Sequence, residues 1–117
     1  MAEKRKIKAI LVCAMGMSSS LLENKTREAA KKAGVDLDLH AITTPEIALW
    51  NFKEKYVDAV MVAPQVRYKF RSITEAGAPY GVVVLNIDPV VFGMVDGDEL
   101  FKQLITAIDK RDKAKKK

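Results

Sequence analysis

The segment at positions 9–22, AILVCAMGMSSSLL, places the only cysteine of the chain, Cys13, at the end of an apolar run. Gly16 and the serines at 18–20 follow it and lead into a predicted helix. A thiol at such a strand-to-helix turn faces unpaired backbone N–H groups and the positive end of the helix dipole, which favour the thiolate. The same N–H groups and the serine hydroxyls form a concave site for a phosphate, and Gly16 lets the backbone approach it closely. The pattern predicts nucleophilic phosphate chemistry at Cys13.

Most cysteines outside disulfides are small, buried and inert. The residues after Cys13 favour the reactive interpretation, because neither core packing nor strand pairing requires the sequence MGMSSS. A single cysteine also excludes an internal disulfide and a tetrahedral cysteine site. We therefore predict no metal and no cofactor.

The elements that position this segment follow from the apolar periodicity of the chain. Strands are predicted at 7–12, 36–42, 58–63 and 80–87. Helices are predicted at 20–33, at 43–55 with Thr44 as the N-cap and Pro45 in the first turn, at 65–77, and from Asp96 to about Lys110, where Asp96 and Glu99 have capping-box spacing.

Strands that alternate with helices indicate a parallel sheet, because parallel neighbours need a long crossover connection. The expected fold is a small doubly wound, flavodoxin-like four-stranded parallel sheet with helices on both faces. Ligands of such sheets bind beyond the carboxyl ends of the strands. The fold therefore brings Cys13, residues 63–67 and residues 86–89 together.

Length and composition are typical of one small domain. The chain has 117 residues, of which 49% are hydrophobic, and this supports one core but not two. Its apolar runs fall short of the roughly 18 residues that a membrane-spanning helix needs, and the N-terminal MAEKRKIK lacks the apolar stretch of a signal peptide. We therefore expect a cytoplasmic protein.

The net charge of +5 is located at the two ends of the chain. Residues 1–8 carry four Lys or Arg against one Glu, and residues 110–117 carry six against one Asp. The ten cations and thirteen carboxylates that remain give the body a charge of −3. We predict basic, solvated tails at 1–6 and 111–117, a single domain at 7–110, and no nucleic-acid partner.

Two other chemistries use a cysteine in such a setting. Low-molecular-weight tyrosine phosphatases have a similar fold, and their loop arginine clamps the phosphate at the position that Ser19 occupies here. Asp88–Pro89 resembles their acid loop, but hydrolysis without the arginine should be poor. A thiol switch is the other alternative; the chain has no resolving cysteine, although glutathionylation would need none.

Three motifs resemble the enzyme IIB components of the lactose/cellobiose class of the bacterial sugar phosphotransferase system. They are Cys13 followed by AMGMSSSLL, APQVRY at 63–68, and FGMVDGDELFKQL at 92–104. The resemblance extends from Ile7 to Lys110. Ser19 stands where many members have threonine, a change that keeps the hydroxyl.

The resemblance implies a phosphocysteine sugar phosphotransferase. Cys13 would accept a phosphoryl group from a phosphohistidine of the enzyme IIA partner and pass it to a sugar brought in by the membrane permease, enzyme IIC. The sugar would belong to the cellobiose, lactose, chitobiose or other β-glucoside class, and the protein would reach the inner face of the membrane transiently through IIC. The loop that stabilises the dianion would consist of Ala14, Met15, Gly16, Met17, Ser18, Ser19 and Ser20.

Four further residues are candidates for the border of the site. Gln65, Arg67 and Tyr68 could contact the phosphate or a partner; equally, Gln65 could be a helix cap and Arg67 a solvated side chain. Asp88 precedes Pro89 and is more typical of a turn former than of an acid.

The remaining residues that could carry chemistry receive structural interpretations. His40, the only histidine, is expected within the second strand in a structural role. Trp50 and Phe52 have helical spacing and are predicted to be core residues. Met15 and Met17 are candidates for an adaptable docking surface around Cys13, or for filling space above the sheet.

Overall fold

The structure, a computed structural model, describes residues 5–14 and 18–115, without the side chains of residues 5, 18, 19 and 115. Within these residues the sheet has four parallel strands. The strands are β1 (Arg5–Cys13), β2 (Val35–Thr43), β3 (Ala59–Val62) and β4 (Val83–Asn86), in the order β2-β1-β3-β4. The order reverses after β2, so the doubly wound α/β fold expected from the sequence is confirmed.

Helical segments connect and follow the strands. They are α1 (Ser18–Lys32), α2 (Thr44–Ala48), α3 (Phe70–Gly77), α4 (Pro89–Gly93) and α5 (Gly97–Lys115), with short 3-10 helices at Pro64–Lys69 and Ala78–Tyr80.

The core lies around the two central strands. All four residues of β3 are buried, and Leu11 of β1 is fully inaccessible to solvent. Helices α1 and α5 pack against each other so closely that a Cβ atom at Gly97 would lie 2.4 Å from the carbonyl carbon of Lys25. This contact fixes α1 relative to α5.

The second helix is much shorter than the sequence indicated, and its N-cap is Thr43 rather than Thr44. The side chain of Asn51 accepts hydrogen bonds from the N–H groups of Lys53 (2.9 Å) and Glu54 (3.4 Å), and this turn replaces further helix. The helical spacing predicted for Trp50 and Phe52 is therefore wrong. Phe52 is nonetheless buried, as predicted, and Trp50 is half-buried.

The third predicted helix, at 65–77, is divided into a 3-10 helix and α3. The fourth strand begins at Val83 rather than at residue 80. The delay has a local cause, because Gly81 adopts a left-handed conformation (φ 74°) and ends a 3-10 turn that contains Pro79.

The last helix does not end near Lys110 but continues to Lys115. Arg111 was expected in a solvated tail, yet its side chain is only 16% exposed. Its guanidinium donates to the hydroxyl of Tyr56 (2.9 Å), the carboxylate of Asp58 (3.2 Å) and the carbonyl of Gly81 (3.2 Å). This residue therefore belongs to the folded body. Of the tail predicted at 1–6, Arg5 and Lys6 belong to β1. Residues 1–4 and residues 116–117 lie outside the described residues.

Candidate functional site

The candidate site lies at the edge of the sheet where all four strands end. The Val12 carbonyl accepts from the Ala63 N–H at 2.9 Å, and the Val62 carbonyl accepts from the Ile87 N–H at 2.8 Å. The three loops that sequence analysis placed together are thus neighbours. The exit of β2 lies beside them, because Thr43 pairs with Cys13. Sequence analysis recognised the helix start TTPE but did not connect it with the site.

Cys13 is the last residue of β1 and is 6% exposed. Its thiol lies 3.7 Å from the carbonyl oxygen of Ile42 in β2, as a weak S–H donor. The chain leaves the sheet at once, since the next residue, Ala14, is exposed and α1 begins at Ser18. Met15, Gly16 and Met17 lie outside the described residues, as do the side chains of Ser18 and Ser19. Ser20, in the first turn of α1, is exposed.

Helix α1 is held firmly against β2. Arg27 donates to the Leu39 carbonyl of β2 at 2.8 Å and also forms an ion pair with Glu23 of α1 at 2.5 Å. Within α1 itself, the buried hydroxyl of Thr26 donates to the Leu22 carbonyl at 2.7 Å. The side-chain link to the sheet therefore lies about two and a half turns after the start of the helix.

The N-terminus of α1 is electrostatically suited to an anion. Its first turn contains no acidic residue, so no carboxylate of its own compensates the positive end of the dipole. Residues 14–20 contain no Lys or Arg either. A phosphoryl group bound here would be held by N–H dipoles and hydroxyls.

Two carboxylates at this edge act as helix caps. Glu46 accepts from both the N–H (3.1 Å) and the hydroxyl (3.2 Å) of Thr43 at the start of α2. Asp88 accepts from the N–H of Val90 at 2.8 Å at the start of α4. The turn role favoured for Asp88 is therefore observed.

The border candidates lie on the segments that follow β3 and β4. Gln65, Arg67 and Tyr68 all lie on the 3-10 helix after β3, and all three are exposed. Ala63 is the N-cap of that helix, so Gln65 does not have the capping role. Arg67 and Asp88 line a groove of about 710 Å³ formed with β4 and α5, and Cys13 does not line this groove.

Exposed apolar side chains surround the candidate site. Leu21, in the first turn of α1, is 51% exposed, Tyr68 is 72% exposed, and Val90 at the start of α4 is 66% exposed. All three belong to elements that begin at the edge where the strands end. Apolar residues in such a position are suited to docking of a protein partner.

His40 lies within β2, as expected, and it is exposed beside Asp38, with 2.7 Å between Nε2 and the carboxylate. In the parts of the chain that the structure describes, no three His, Cys, Asp or Glu side chains are grouped in a way that could hold a metal ion. No helix in the same residues is long and apolar enough to cross a membrane.

The family of this chain follows from its similarity to known proteins. Residues 8–103 match the family described as the lactose/cellobiose-specific IIB subunit of the PTS system. The chain belongs to this family. It is a IIB component of the sugar phosphotransferase system, a transferase that works with the other components of that system.

Curated IIB relatives match over most of their length. The chain is 30% identical over 101 residues to the oligo-beta-mannoside-specific EIIB component of Bacillus subtilis (strain 168), which covers 85% of this chain and 93% of that protein. It is 32% identical over 92 residues to the galactose-specific EIIB component of Lactococcus lactis subsp. cremoris and to the cellobiose-specific EIIB component of Lactococcus lactis subsp. lactis, each covering 77% of this chain and 85% of the relative.

Solved structures of IIB components share the fold. The lactose-specific IIB domain of Streptococcus pneumoniae superposes with a TM-score of 0.73 at 16% identity, covering 88% of this chain and 98% of that one. The cellobiose-specific IIB component of Borrelia burgdorferi superposes with a TM-score of 0.69 at 24% identity, covering 91% and 94%. Both confirm the IIB fold.

Proposed function

We propose that this IIB component carries a phosphoryl group on Cys13, which it receives from a phosphohistidine of enzyme IIA and passes to a sugar delivered by the permease IIC. The observation that carries the proposal is the position of the only cysteine. It ends β1, and four residues separate it from an α1 N-terminus that has no acidic residue in its first turn. Membership of the IIB family supports the same role.

In the first step, the Cys13 thiolate attacks the phosphorus of the donor phosphohistidine. The S–P bond forms as the P–N bond breaks, and the imidazole leaves with the electron pair and takes up a proton. In the second step, a sugar hydroxyl attacks the same phosphorus and loses its proton, while the thiolate leaves. The protein therefore returns to its starting state.

The residues of the loop and of α1 stabilise the dianion between the two steps. The backbone N–H groups of 14–20 hold the phosphoryl oxygens, and the serine hydroxyls supplement them. No Lys or Arg in this segment supplies the bidentate clamp that phosphatases use. Asp88 is occupied as the cap of α4 rather than offered as an acid. Both features favour carrying a phosphoryl group over hydrolysing it.

Docking of the partners uses the apolar residues around the strand ends. Leu21, Tyr68 and Val90 offer exposed apolar area on three different elements that start near Cys13. IIA and IIC reach the same thiol, so both dock at this edge. The proposed location is the cytoplasm, with transient contact to the inner membrane face through IIC.

The proposed sugar belongs to the cellobiose, lactose, chitobiose or other β-glucoside class. The three relatives are named for oligo-beta-mannoside, galactose and cellobiose, so membership of this family is compatible with several sugars. Incubation with each sugar and its permease tests the choice.

The decisive experiment is intact-mass measurement after incubation with phosphoenolpyruvate, the general phosphotransferase proteins and a IIA partner. We expect one added phosphoryl group, which iodine releases as it does from a thiophosphate. Cys13→Ser should lack the adduct, and His40→Gln should keep it. Circular dichroism confirms that both variants are folded.

Three outcomes would contradict the proposal. Label retained by Cys13→Ser, or lost in His40→Gln, would move the site away from the thiol. An iodine-resistant label would move it to a hydroxyl. A glutathione adduct without any phosphoryl adduct would favour the thiol switch.

A further inference from the structure

Strand β4 has one open edge. In the described residues it pairs only with β3, through Val83 N–H to Asp58 carbonyl (3.0 Å) and Ile87 N–H to Val62 carbonyl (2.8 Å). Successive residues of a parallel strand direct their backbone groups to opposite sides, so the N–H and C=O groups of Val84 and Asn86 face away from β3. These groups are available to a further strand.

Helix α5 packs beside β4. Its buried side, which includes Leu100, Leu104 and Ile108, packs on the core. A second row of side chains lines the groove of about 710 Å³ beside β4. The row is spaced as one side of a helix, and it comprises Glu99, Lys102, Gln103, Thr106, Ala107 and Lys110. The helix thus covers space next to β4 that no described strand fills.

The charges of the groove are unbalanced in a specific way. Among the residues that the structure describes, Lys102, Lys110 and Arg67 have no carboxylate within ion-pair distance. The groove also holds two carboxylates, Asp88, which caps α4, and Glu99, which accepts from Gln103 at 3.5 Å. Three cations against two carboxylates leave one net positive charge, and an acidic occupant can pair with the cations without breaking an existing ion pair.

We propose that the β4 edge and this groove bind an extended acidic segment of a partner protein, which adds to the sheet as a fifth strand. The backbone of the segment would bond to Val84 and Asn86, and every second side chain would face α5. This inference goes beyond the phosphoryl relay and does not depend on Cys13.

The spacing of the side chains on α5 predicts the residue pattern of the bound segment. Lys102 and Lys110 are eight residues apart, which is about 12 Å along a helix. Residues i and i+4 of a strand are about 13 Å apart and point to the same side. Thr106 lies midway and, with Ala107, leaves room for an apolar side chain at i+2. The expected pattern is acidic-x-apolar-x-acidic.

A second copy of this chain fits the edge less well. Antiparallel pairing of two β4 strands would bring together two grooves that each carry net positive charge, which is unfavourable. Lysines beside an open edge also oppose self-association in general. An acidic partner is the occupant that the charges favour.

The test uses a fluorescein-labelled heptapeptide, acetyl-Thr-Glu-Thr-Val-Thr-Glu-Thr-amide, and the full chain. Anisotropy should show saturable binding that weakens as salt is raised. Lys102→Glu/Lys110→Glu should weaken it at least tenfold. Lys31→Glu/Lys113→Glu, a charge-matched control at exposed sites outside the groove, should change it less than threefold.

A second measurement tests the added strand itself. Amide exchange at Val84 and Asn86 should slow when the peptide binds. N-methylation of either the odd-numbered or the even-numbered peptide residues removes the N–H groups on one side of the strand, so one of these two peptides should lose binding and the other should keep it. No binding at millimolar peptide would overturn the proposal, and Lys102 and Lys110 would then serve only to prevent association at the open edge. Equal losses in both double variants, binding unaffected by either N-methylation, or a β4-paired dimer in sedimentation would overturn it as well.

Discussion

Replacing Arg111 by methionine should lower the free energy of unfolding by about 3 kcal/mol. The guanidinium donates to Asp58, Tyr56 and the carbonyl of Gly81, and thereby joins the end of α5 to residues that lie before β3 and β4. The Asp58 carboxylate also accepts from the Lys8 N–H at 3.0 Å. Methionine keeps an apolar stem of similar length but removes every donor.

The magnitude follows from the exposure of the two charges. Breaking a fully buried ion pair costs about 3–5 kcal/mol, because one charge is left without a partner. The side chains of Arg111 and Asp58 are 16% and 20% exposed, so water relieves part of that cost. We therefore take the lower end of the range, which for a domain of this size corresponds to a fall in Tm of about 12 °C.

Urea unfolding followed by circular dichroism measures the effect, with Lys113→Met as the matched control. Lys113 is exposed on the same helix, and its replacement should cost less than about 0.5 kcal/mol. Truncation after residue 112 should likewise be mild, whereas truncation after residue 110 removes Arg111. Equal urea midpoints for Arg111→Met and Lys113→Met would refute the conclusion that Arg111 anchors the end of α5.

Three further predictions concern packing, pH and the loop. Gly97→Ala should destabilise the protein by about 2–3 kcal/mol in urea unfolding, because its Cβ would overlap the backbone of α1, whereas Gly93→Ala, with open space around it, should be near neutral. Burial raises the pKa of Tyr56 above its ordinary 10.0, with Asp58 adding to the rise and Arg111 opposing it, so the protonated phenol is favoured in the native state. Stability should therefore fall as pH rises above 10.0, and the urea midpoint of Tyr56→Phe should fall less over the same interval. In quench-flow phosphorylation by IIA, Gly16→Val should slow acceptance by a large factor, and Ser20→Ala by about fivefold to tenfold, the equivalent of one net hydrogen bond.

The apolar periodicity of the sequence was sufficient to predict the strands that form the site. The run IKAILV is short and rich in β-branched residues, as is typical of a buried strand, and the small residues after it indicate a turn, so the place of Cys13 at the end of β1 could be predicted. The parallel arrangement followed from the helices between strands, and it placed the strand ends at one edge.

The predictions that the structure corrects depend on contacts between residues far apart in the sequence or on turns without the usual turn residues. The start of α2 has strong signals, but its end depends on Asn51, whose turn carries neither glycine nor proline. The role of Arg111 could not be predicted, because its partner Asp58 is 53 residues away and the local sequence KRDKAKKK is typical of a solvated tail. The groove that Arg67 lines with β4 and α5 could not be predicted either, because residues far apart in the sequence form it.

All four strands end at one edge, and Cys13 is recessed there with 6% of its surface exposed. If donor and acceptor both react at this thiol, they approach from the same side and cannot be bound at once. The carrier must leave one partner before it meets the other, which makes the kinetics ping-pong. Turnover can then be no faster than the dissociation of each complex, so weak and short-lived docking would favour rapid transfer.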